Sequence, residues 1–381
     1  MDCSFRHVSV DGITAVVPRR CIAIDDEIAF FDNNPKKLER AKKIVGYGTR
    51  HVVEEGVTAL DLCEAAARDL MREMAVSVDA VDTLILVNQS PDHFLPSGSC
   101  ILHGRLGLAK TCATLDIPLG CSGYIHGLWL AHSLIASGAS RKLLLLAGDT
   151  PSLHTDVRNR LVAPLFGDAG TATLLSRTED ERPAYFSLGS DGTGWQHIVI
   201  PGGGFRLPPD PDMVRKEYRD AQGNPWKMTQ SILRGMPVFD FTLHEVPPNI
   251  RNVLAASAID IADIDFFAIH QANKQIVQSI GQALELPLEK VYWQTFSRYG
   301  NQSTASVACV VCDALAGSMA SGELRVLLSA FGVGLSWGSA VVTFKQAHNG
   351  GIKFFDKPAD MIGKKEMIAF WESQFLGESQ P

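Results

Sequence analysis

The stretch SGASRKLLLLAG, at Ser137–Gly148, has a counterpart in SGELRVLLSAFG, at Ser321–Gly332, an offset of 184 residues. A second pair repeats this relation, because VDTLILVNQ begins at Val81 and IDFFAIHQ begins at Ile264, an offset of 183 residues. Two independent similarities that agree on nearly one offset indicate an internal duplication. We therefore interpret the chain as two copies of one structural unit, packed so that their loops face a shared centre.

Within the first copy, apolar runs of strand length alternate with segments of helical periodicity. The strand-like runs are 81–90, 111–118 and 141–149, and the helix-like segments are 58–76 and 124–138. This order predicts parallel strands joined by crossover helices, an α/β fold. Such sheets bind ligands at the carboxyl ends of their strands, so the residues that follow the strands are the candidates for function.

Composition excludes several classes of protein. The 381 residues are 46% hydrophobic and 20% charged, and the net charge of −7 is unsuited to general nucleic-acid binding. The beginning of the chain lacks the pattern of a secretory signal, and no apolar run approaches the roughly 20 residues that span a bilayer. The eight cysteines are too sparse for a disulfide scaffold. These features predict a cytoplasmic protein with free thiols and no membrane segment.

The segment LDIPLGCSGYIHGLWLAHSLIASG, at Leu115–Gly138, places Cys121 between two glycines where a strand gives way to a helix. Free cysteine often packs as a small hydrophobe, so a structural role is one interpretation. A nucleophile is the other, because the positive end of the helix dipole favours a thiolate. Gly120 and Gly123 would let the backbone turn sharply and a substrate approach closely. These residues alone leave both interpretations open.

The second copy supplies further polar residues and glycines at expected strand ends. His270 lies where an apolar strand meets a polar loop, and Asn301 precedes a helix of small residues. The glycine-rich turn within AFGVGLSWGS, 330–339, has backbone amides that could face a ligand. Each feature has a structural alternative: a hydrogen-bonding histidine, a helix-capping asparagine and a hairpin built with glycine. The pair Cys309 and Cys312 lies in a helical pattern without a second Cys/His pair, so no metal site is expected.

Taken together, four motifs carry a family resemblance. GCSGY (120–124), HQAN (270–273), YGNQSTAS (299–306) and FGVGLSWG (331–338), in this order and spacing, resemble the thiolase-superfamily condensing enzymes. The narrower resemblance is to β-ketoacyl-acyl-carrier-protein synthase III, and it covers about residues 5–345. It implies a thiolase-like fold in which two duplicated βαβαβαββ halves form a five-layer αβαβα sandwich.

The resemblance also implies how the chain is divided. Residues 1–176 would form the half with the nucleophilic cysteine, and 177–345 the half with the histidine and asparagine. Residues 346–381 would form a carboxyl-terminal extension with an amphipathic segment. The stretch 201–230, rich in proline, glycine and charge, would be a long loop in the second half. We interpret this loop as a cover over the acyl tunnel, with a plain surface excursion as the alternative.

Roles for the site residues follow from the same resemblance. Cys121 would take an acyl group from acyl coenzyme A or an acyl carrier protein. A malonyl thioester, expected to be malonyl-carrier protein, would then lose carbon dioxide beside His270 and Asn301, and the carbanion would attack the acyl-cysteine to give a β-ketoacyl thioester. The amides of Cys121 and Val333 would hold the oxyanion. No cofactor or metal is implied, and the reaction belongs to fatty acid and lipid biosynthesis.

The family resemblance further implies a homodimer that binds an acyl carrier protein. In such a dimer Leu95 would line the neighbouring subunit's tunnel. The residues expected in the substrate tunnel or at the carrier-protein contact are Leu95, Phe239, Asn273, Lys274 and Phe331.

Two other functions stay open. One is an acyltransferase of the same fold that passes the acyl group from Cys121 to an oxygen or nitrogen nucleophile without decarboxylation. The other is a non-catalytic partner subunit, which would ordinarily lack the nucleophile or the histidine. The glycine turn at 330–339 has no second cysteine, which disfavours a thiolase.

Overall fold

The computed structural model describes residues 1–320 and 322–376. Within them the strands are β1 (Asp2–Phe5), β2 (Val8–Pro18), β3 (Cys21–Ala23), β4 (Thr49–His51), β5 (Thr83–Val87), β6 (Ala113–Ile117), β7 (Lys142–Asp149), β8 (Ala169–Arg177), β9 (Ala184–Ser190), β10 (Ile198–Val199), β11 (Tyr218–Arg219), β12 (Pro225–Trp226), β13 (Ile232–Leu233), β14 (Phe266–Ile269), β15 (Glu323–Gly332), β16 (Ser336–Lys345) and β17 (His348–Phe355). The α-helices are α1 (Pro35–Val45), α2 (Ala59–Glu73), α3 (Gly98–Leu106), α4 (Gly123–Ala136), α5 (Pro211–Arg215), α6 (Gly235–Ser257), α7 (Lys274–Ala283), α8 (Gln294–Tyr299), α9 (Ser306–Ala314) and α10 (Lys364–Leu376).

Two large sheets contain the duplicated strands. The first has the order β17-β2-β8-β7-β5-β6, and the second has the order β1-β9-β16-β15-β14. Strand β5 pairs in parallel with β6 and β7, as the alternating pattern predicted. The two strands that match β5 and β7 in the duplication, β14 and β15, are also parallel neighbours. The internal repeat is therefore visible as the same strand pair in each sheet.

Helices fill the space between the sheets and cover both outer faces. Helix α4 contacts β5 and β7 on one side and β15 and β16 on the other, while α9 contacts strands of both sheets. Helices α2 and α3 pack on the outside of the first sheet, and α6 and α7 lie outside the second. This arrangement confirms the five-layer αβαβα sandwich.

The central helix α9 shows why small residues are needed between two sheets. Its first seven residues, Ser306–Cys312, are all buried, because strands surround the helix on two sides. A helix buried on all sides has no polar face to present to water, which explains its uninterrupted run of small and apolar side chains. Cys309 and Cys312 belong to this packing.

The first and last strands cross between the halves. Strand β1 pairs with β9 in the second sheet, and β17 pairs in parallel with β2 in the first. Part of the expected extension 346–381 is thus a sheet strand, and α10 follows it. The division of the chain near residue 176 remains a proposal. Among the described residues, no helix combines the length and apolarity needed to cross a membrane.

The stretch 201–230 is pinned at both ends. Strands β10 and β13, which flank it, pair antiparallel. The amide of Gly202 donates to the carbonyl of Met228 at 2.8 Å, and the amide of Ser231 donates to the carbonyl of His154 at 2.9 Å. These bonds join the two ends of the stretch 201–230 and hold them against the turn that follows β7.

Candidate active site

Two adjoining cavities lie where the strands of both halves end. The inner cavity has a volume of about 120 Å³ and the outer cavity about 760 Å³. Five residues line both of them, so the two spaces meet along one shared boundary: Gln89, His154, Ile198, Ser231 and Val333. The inner cavity is also lined by Cys121, His270 and Asn301. Three residues from three separate motifs therefore face one space.

Glycines bring the backbone close to Cys121. A Cβ on Gly120 would collide with the side-chain oxygen of Gln89, and one on Gly123 would lie 2.5 Å from a methyl of Val87. Opposite the thiol, a Cβ on Gly332 would lie 2.9 Å from the Cβ of Cys121 and 3.1 Å from its Sγ. The cysteine therefore fits only because glycine occupies these positions.

The thiol of Cys121 is protonated in the resting site. Burial raises its pKa to about 11, and this effect exceeds the opposing influence of the Ser303 hydroxyl and of the amides of Cys121 and Val333. The Ser303 Oγ lies 3.8 Å from the Sγ. Desolvation of the buried charge is therefore the largest influence on this thiol, and it opposes the thiolate that the helix dipole favours. The amides of Cys121 and Val333 both favour negative charge at the sulfur.

His270 follows β14 and is held by its backbone. Its amide donates to the carbonyl of Ser329 at 2.8 Å, and its ring meets that of Phe331 edge-on, with centroids 5.2 Å apart. Burial lowers the pKa of His270 to about 3, so the imidazole is neutral near pH 7. Its Nδ1 has no hydrogen-bond partner within the described part of the chain. A neutral imidazole offers one N–H donor and one acceptor.

Asn301 is fixed between the halves. Its amide donates to the carbonyl of Leu165 at 2.8 Å, and its Oδ1 accepts a hydrogen bond from the amide of Ser303 at 3.0 Å. Because the Oδ1 is engaged, the Nδ2 is the group available as a donor. The capping interpretation is wrong, because the N-cap of α9 is Ala305 and that of the preceding 3-10 turn is Gln302. Asn301 instead holds the turn before these helices through its bond to Ser303, and it also lines the inner cavity.

Asp149, at the end of β7, ties this site together, and the sequence analysis missed it. Its Oδ1 accepts hydrogen bonds from the amide of Gln89 at 2.8 Å and the hydroxyl of Ser90 at 2.9 Å. Its Oδ2 accepts a bond from the amide of Thr304 at 3.4 Å. One carboxylate thereby connects a loop of the first half to the segment after Asn301. Its place at a strand end was the available signal.

The remaining predicted tunnel residues divide into two groups. Asn273 and Phe331 line the inner cavity, and Val333, which was predicted for its backbone amide, lines both cavities. Phe239 does not line either cavity, because its neighbour on α6, Val238, points inward instead. Adjacent helical residues differ in direction by about 100°, so only one of the pair faces a given space.

Leu95 and Lys274 lie outside both cavities. Leu95 is 79% exposed, beside the exposed Phe94 that lines the outer cavity. Lys274 is held in place, since its Nζ donates to the carbonyl of Lys43 at 3.1 Å and lies 4.4 Å from the ring centre of Trp293. Its ammonium group therefore already has favourable partners within the subunit.

His154 is a second cavity-lining histidine that no motif indicated. It ends the short 3-10 turn Pro151–His154 directly after β7. Its Nδ1 has no hydrogen-bond partner within residues 1–320 and 322–376. Burial lowers its pKa, against the opposing effect of Asp149. As for Asp149, the only sequence signal for His154 is that it is a polar residue near the end of a predicted strand.

Comparisons with known proteins indicate the family to which this chain is similar. The family model described as 3-Oxoacyl-[acyl-carrier-protein (ACP)] synthase III matches residues 115–192, and its C-terminal model matches residues 254–344. A Campylobacter jejuni protein provisionally named 3-oxoacyl-[acyl-carrier-protein] synthase 3 is 36% identical over 94% of this chain and 99% of its own length. The β-ketoacyl-[acyl-carrier-protein] synthase III of Campylobacter curvus is 30% identical over 91% and 98%. A crystal structure of a 3-oxoacyl-(acyl-carrier protein) synthase from Burkholderia xenovorans superposes with a TM-score of 0.85, at 30% identity, covering 93% of this chain and 99% of that one.

Proposed function

Because the chain belongs to the 3-oxoacyl-acyl-carrier-protein synthase III family of condensing enzymes, we propose that it joins an acyl group to a malonyl thioester with loss of carbon dioxide. One observation carries the proposal: Cys121, His270 and Asn301 line a single cavity although they come from three distant motifs. The intact trio favours condensation over plain acyl transfer, which needs no enolate-stabilising pair.

In the first step, the Sγ of Cys121 attacks the carbonyl carbon of the acyl thioester. A carbon–sulfur bond forms to the enzyme, the bond to the donor's sulfur breaks, and the thiol proton leaves with the released thiol. The amides of Cys121 and Val333 stabilise the negative oxygen of the tetrahedral intermediate. Because burial raises the pKa of Cys121, the thiol predominates before substrate binds, and its proton must be transferred for the sulfur to attack.

In the second step, a malonyl thioester loses its carboxylate as carbon dioxide and leaves an enolate. The neutral imidazole of His270 and the Nδ2 of Asn301 donate hydrogen bonds to the thioester oxygen as charge develops there. Among the described residues that line the two cavities, there is no lysine or arginine. The malonyl carboxylate therefore has no counter-charge to hold it, which favours its departure.

In the third step, the enolate carbon attacks the acyl carbonyl on Cys121. The carbon–carbon bond forms, the bond to Sγ breaks, and the cysteine takes up a proton to return to the thiol. A full turnover thus consumes one proton and yields a β-ketoacyl thioester, carbon dioxide and the donor's thiol. No step in this scheme requires a metal or a redox cofactor.

We propose an acyl carrier protein as the bearer of the malonyl group, and coenzyme A or a carrier protein as the bearer of the acyl group. The relatives' names point to a carrier protein, and acyl transfer needs only a thioester.

We also propose a homodimer. Phe94, Leu95 and Phe205 are 75%, 79% and 89% exposed, and the first and third pack together with ring centres 5.9 Å apart. Exposed aromatic surface of this kind is typical of a protein interface.

The test follows the acyl group and the carbon dioxide separately. Purified protein is mixed with an acyl thioester and analysed by intact mass; wild type should gain one acyl group and Cys121→Ala should gain none. Malonyl-carrier protein is then added, and carbon dioxide and β-keto product are measured. Product with carbon dioxide supports condensation. Acyl transfer to an added alcohol or amine without carbon dioxide would overturn it in favour of the acyltransferase.

Cys121→Ser provides the matched control, because it keeps the shape of the side chain and changes only the nucleophilic atom. A labelled Cys121→Ala protein would place the nucleophile elsewhere among the seven other cysteines. Peptide mapping of the wild-type acyl-enzyme locates the modified sulfur directly.

A further inference from the structure

The outer cavity is much larger than a two-carbon acyl group requires. At about 760 Å³ it lies in the range of cavities that hold drug-sized ligands. It adjoins the inner cavity along Gln89, His154 and Val333, which lie on the way from Cys121 to the larger space. An acyl chain bound to the sulfur that extends past these residues enters the outer cavity.

Apolar side chains form much of the outer wall. Pro91, Phe94, Trp195, Ile198 and Ile200 all line it. Such a wall suits a hydrocarbon chain, because removing methylene groups from water is favourable. The acyl group that fills this space is therefore larger than acetyl and largely apolar.

Three of the five residues at the boundary between the cavities are polar: Gln89, His154 and Ser231. The side-chain oxygen of Gln89 packs against the backbone of Gly120, in the space that a Cβ would occupy, and Gly120 directly precedes the nucleophile. His154 has an unpartnered Nδ1, and its carbonyl is tied to the amide of Ser231, so the turn that carries it is fixed. A primary amide and a neutral imidazole each offer both a donor and an acceptor. That combination matches a hydroxyl or keto oxygen on a chain.

Charged chains do not match this boundary. No lysine or arginine lines either cavity within the described residues. The two carboxylates present are engaged by backbone amides: Asp149 accepts from Gln89, and Asp116 accepts from Gly98 at 2.7 Å and from Ser99 at 2.8 Å. Asp149 would repel a second carboxylate on the chain. A chain ending in a carboxylate would therefore lie in the cavity without a counter-ion.

We propose that the acyl donor carries an uncharged chain of medium length with a hydroxyl or keto oxygen, and that His154 and Gln89 hydrogen-bond to this oxygen. This inference rests on the proposed function, since it assigns the group that Cys121 accepts. His154 is a specificity-determining residue in this account, and it takes no part in carbon–carbon bond formation.

The experiment measures kcat/KM for acylation of Cys121 by intact mass. The probes are N-acetylcysteamine thioesters of acetate, octanoate, 3-hydroxy- and 5-hydroxyoctanoate, 3-oxo-octanoate and a chain-terminal dicarboxylate of equal length. We expect octanoate to exceed acetate. At least one oxygenated chain should exceed octanoate about tenfold, the difference that one satisfied hydrogen bond supplies. The dicarboxylate should fall about tenfold below octanoate.

His154→Leu should bring the ratio of oxygenated to plain octanoyl thioester close to one, whereas His154→Gln should retain most of it. A ratio between two substrates on the same preparation is independent of the fraction of folded protein. Equal rates for all octanoyl probes in wild type, or a ratio unchanged by His154→Leu, would overturn the inference while acylation itself leaves the proposed function intact. Failure of every thioester to label Cys121 would instead refute the proposed function.

Discussion

Replacing Gly332 by alanine should damage the site although all three proposed catalytic residues stay unmutated. The new Cβ would lie 2.9 Å from the Cβ of Cys121 and 3.1 Å from its Sγ, closer than side chains pack. The residue also has a φ of +156°, which side-chain-bearing residues rarely adopt. Either Cys121 or the turn that carries the Val333 amide must move.

The magnitude follows from two separate effects. Backbone strain at a position suited to glycine costs about 1–3 kcal/mol, and overpacking of a filled site costs about 1–3 kcal/mol more. Displacement of one oxyanion-hole amide lowers an acyl-transfer rate by about 10²–10³-fold. We therefore expect a melting temperature lower by several degrees and an acylation rate lower by about two orders of magnitude.

The assay combines thermal unfolding with the rate of acyl-enzyme formation by intact mass. Gly104→Ala is the matched control, because its Cβ would meet nothing within 4 Å on helix α3 and alanine favours the helix. It should acylate at the wild-type rate and melt at an equal or higher temperature. Wild-type acylation in Gly332→Ala, or an equal loss in Gly104→Ala, would refute the close approach of the glycine turn to the thiol.

Three further outcomes follow from the site. Because burial raises the pKa of Cys121 to about 11, its alkylation by iodoacetamide should keep accelerating above pH 9, and a plateau near pH 7 would contradict the protonated resting state. Because burial lowers the pKa of His270 to about 3, from an ordinary value of 6.5, the unfolded chain binds the additional proton between these values. The free energy of unfolding should therefore fall as pH drops below about 6.5, and this slope should weaken in His270→Gln; equal slopes by denaturant titration would contradict it. Asn301→Asp replaces the Nδ2 donor with an acceptor and should slow malonyl decarboxylation by about 10²–10³-fold while leaving acylation of Cys121 measurable; unchanged carbon dioxide release would remove Asn301 from the enolate site.

Most of the fold and the position of the site could be predicted from the internal duplication and from the residues at the ends of the strands. Two matching offsets predicted paired halves, and both sheets contain the corresponding parallel strand pair. Cys121, His270 and Asn301 were predictable candidates because each lies in a local motif beside a strand or helix end. Their shared cavity depends on how the two halves pack. The duplication predicted only that loops of both copies face a shared centre, and the family resemblance was needed to assign these three residues to it.

Features that depend on long-range packing escaped the sequence analysis. The protonation of Cys121 follows from burial beneath the turn at Gly332, which lies over two hundred residues away in the chain. His154 lines the cavities because the amide of Ser231, at the end of the stretch 201–230, hydrogen-bonds to its carbonyl and holds its turn in place. Lys274 is drawn to Trp293 and to the carbonyl of Lys43, contacts that no local pattern encodes.

In the proposed mechanism Cys121 accepts the acyl group while His270 promotes decarboxylation, and His270→Ala separates these two roles. His270→Ala is assayed in parallel for acylation of Cys121 by intact mass and for release of labelled carbon dioxide from malonyl-carrier protein. Acylation within a few-fold of wild type, together with carbon dioxide release reduced at least a hundredfold, is the predicted result. Equal losses in both rates, or undiminished release of carbon dioxide, would contradict it.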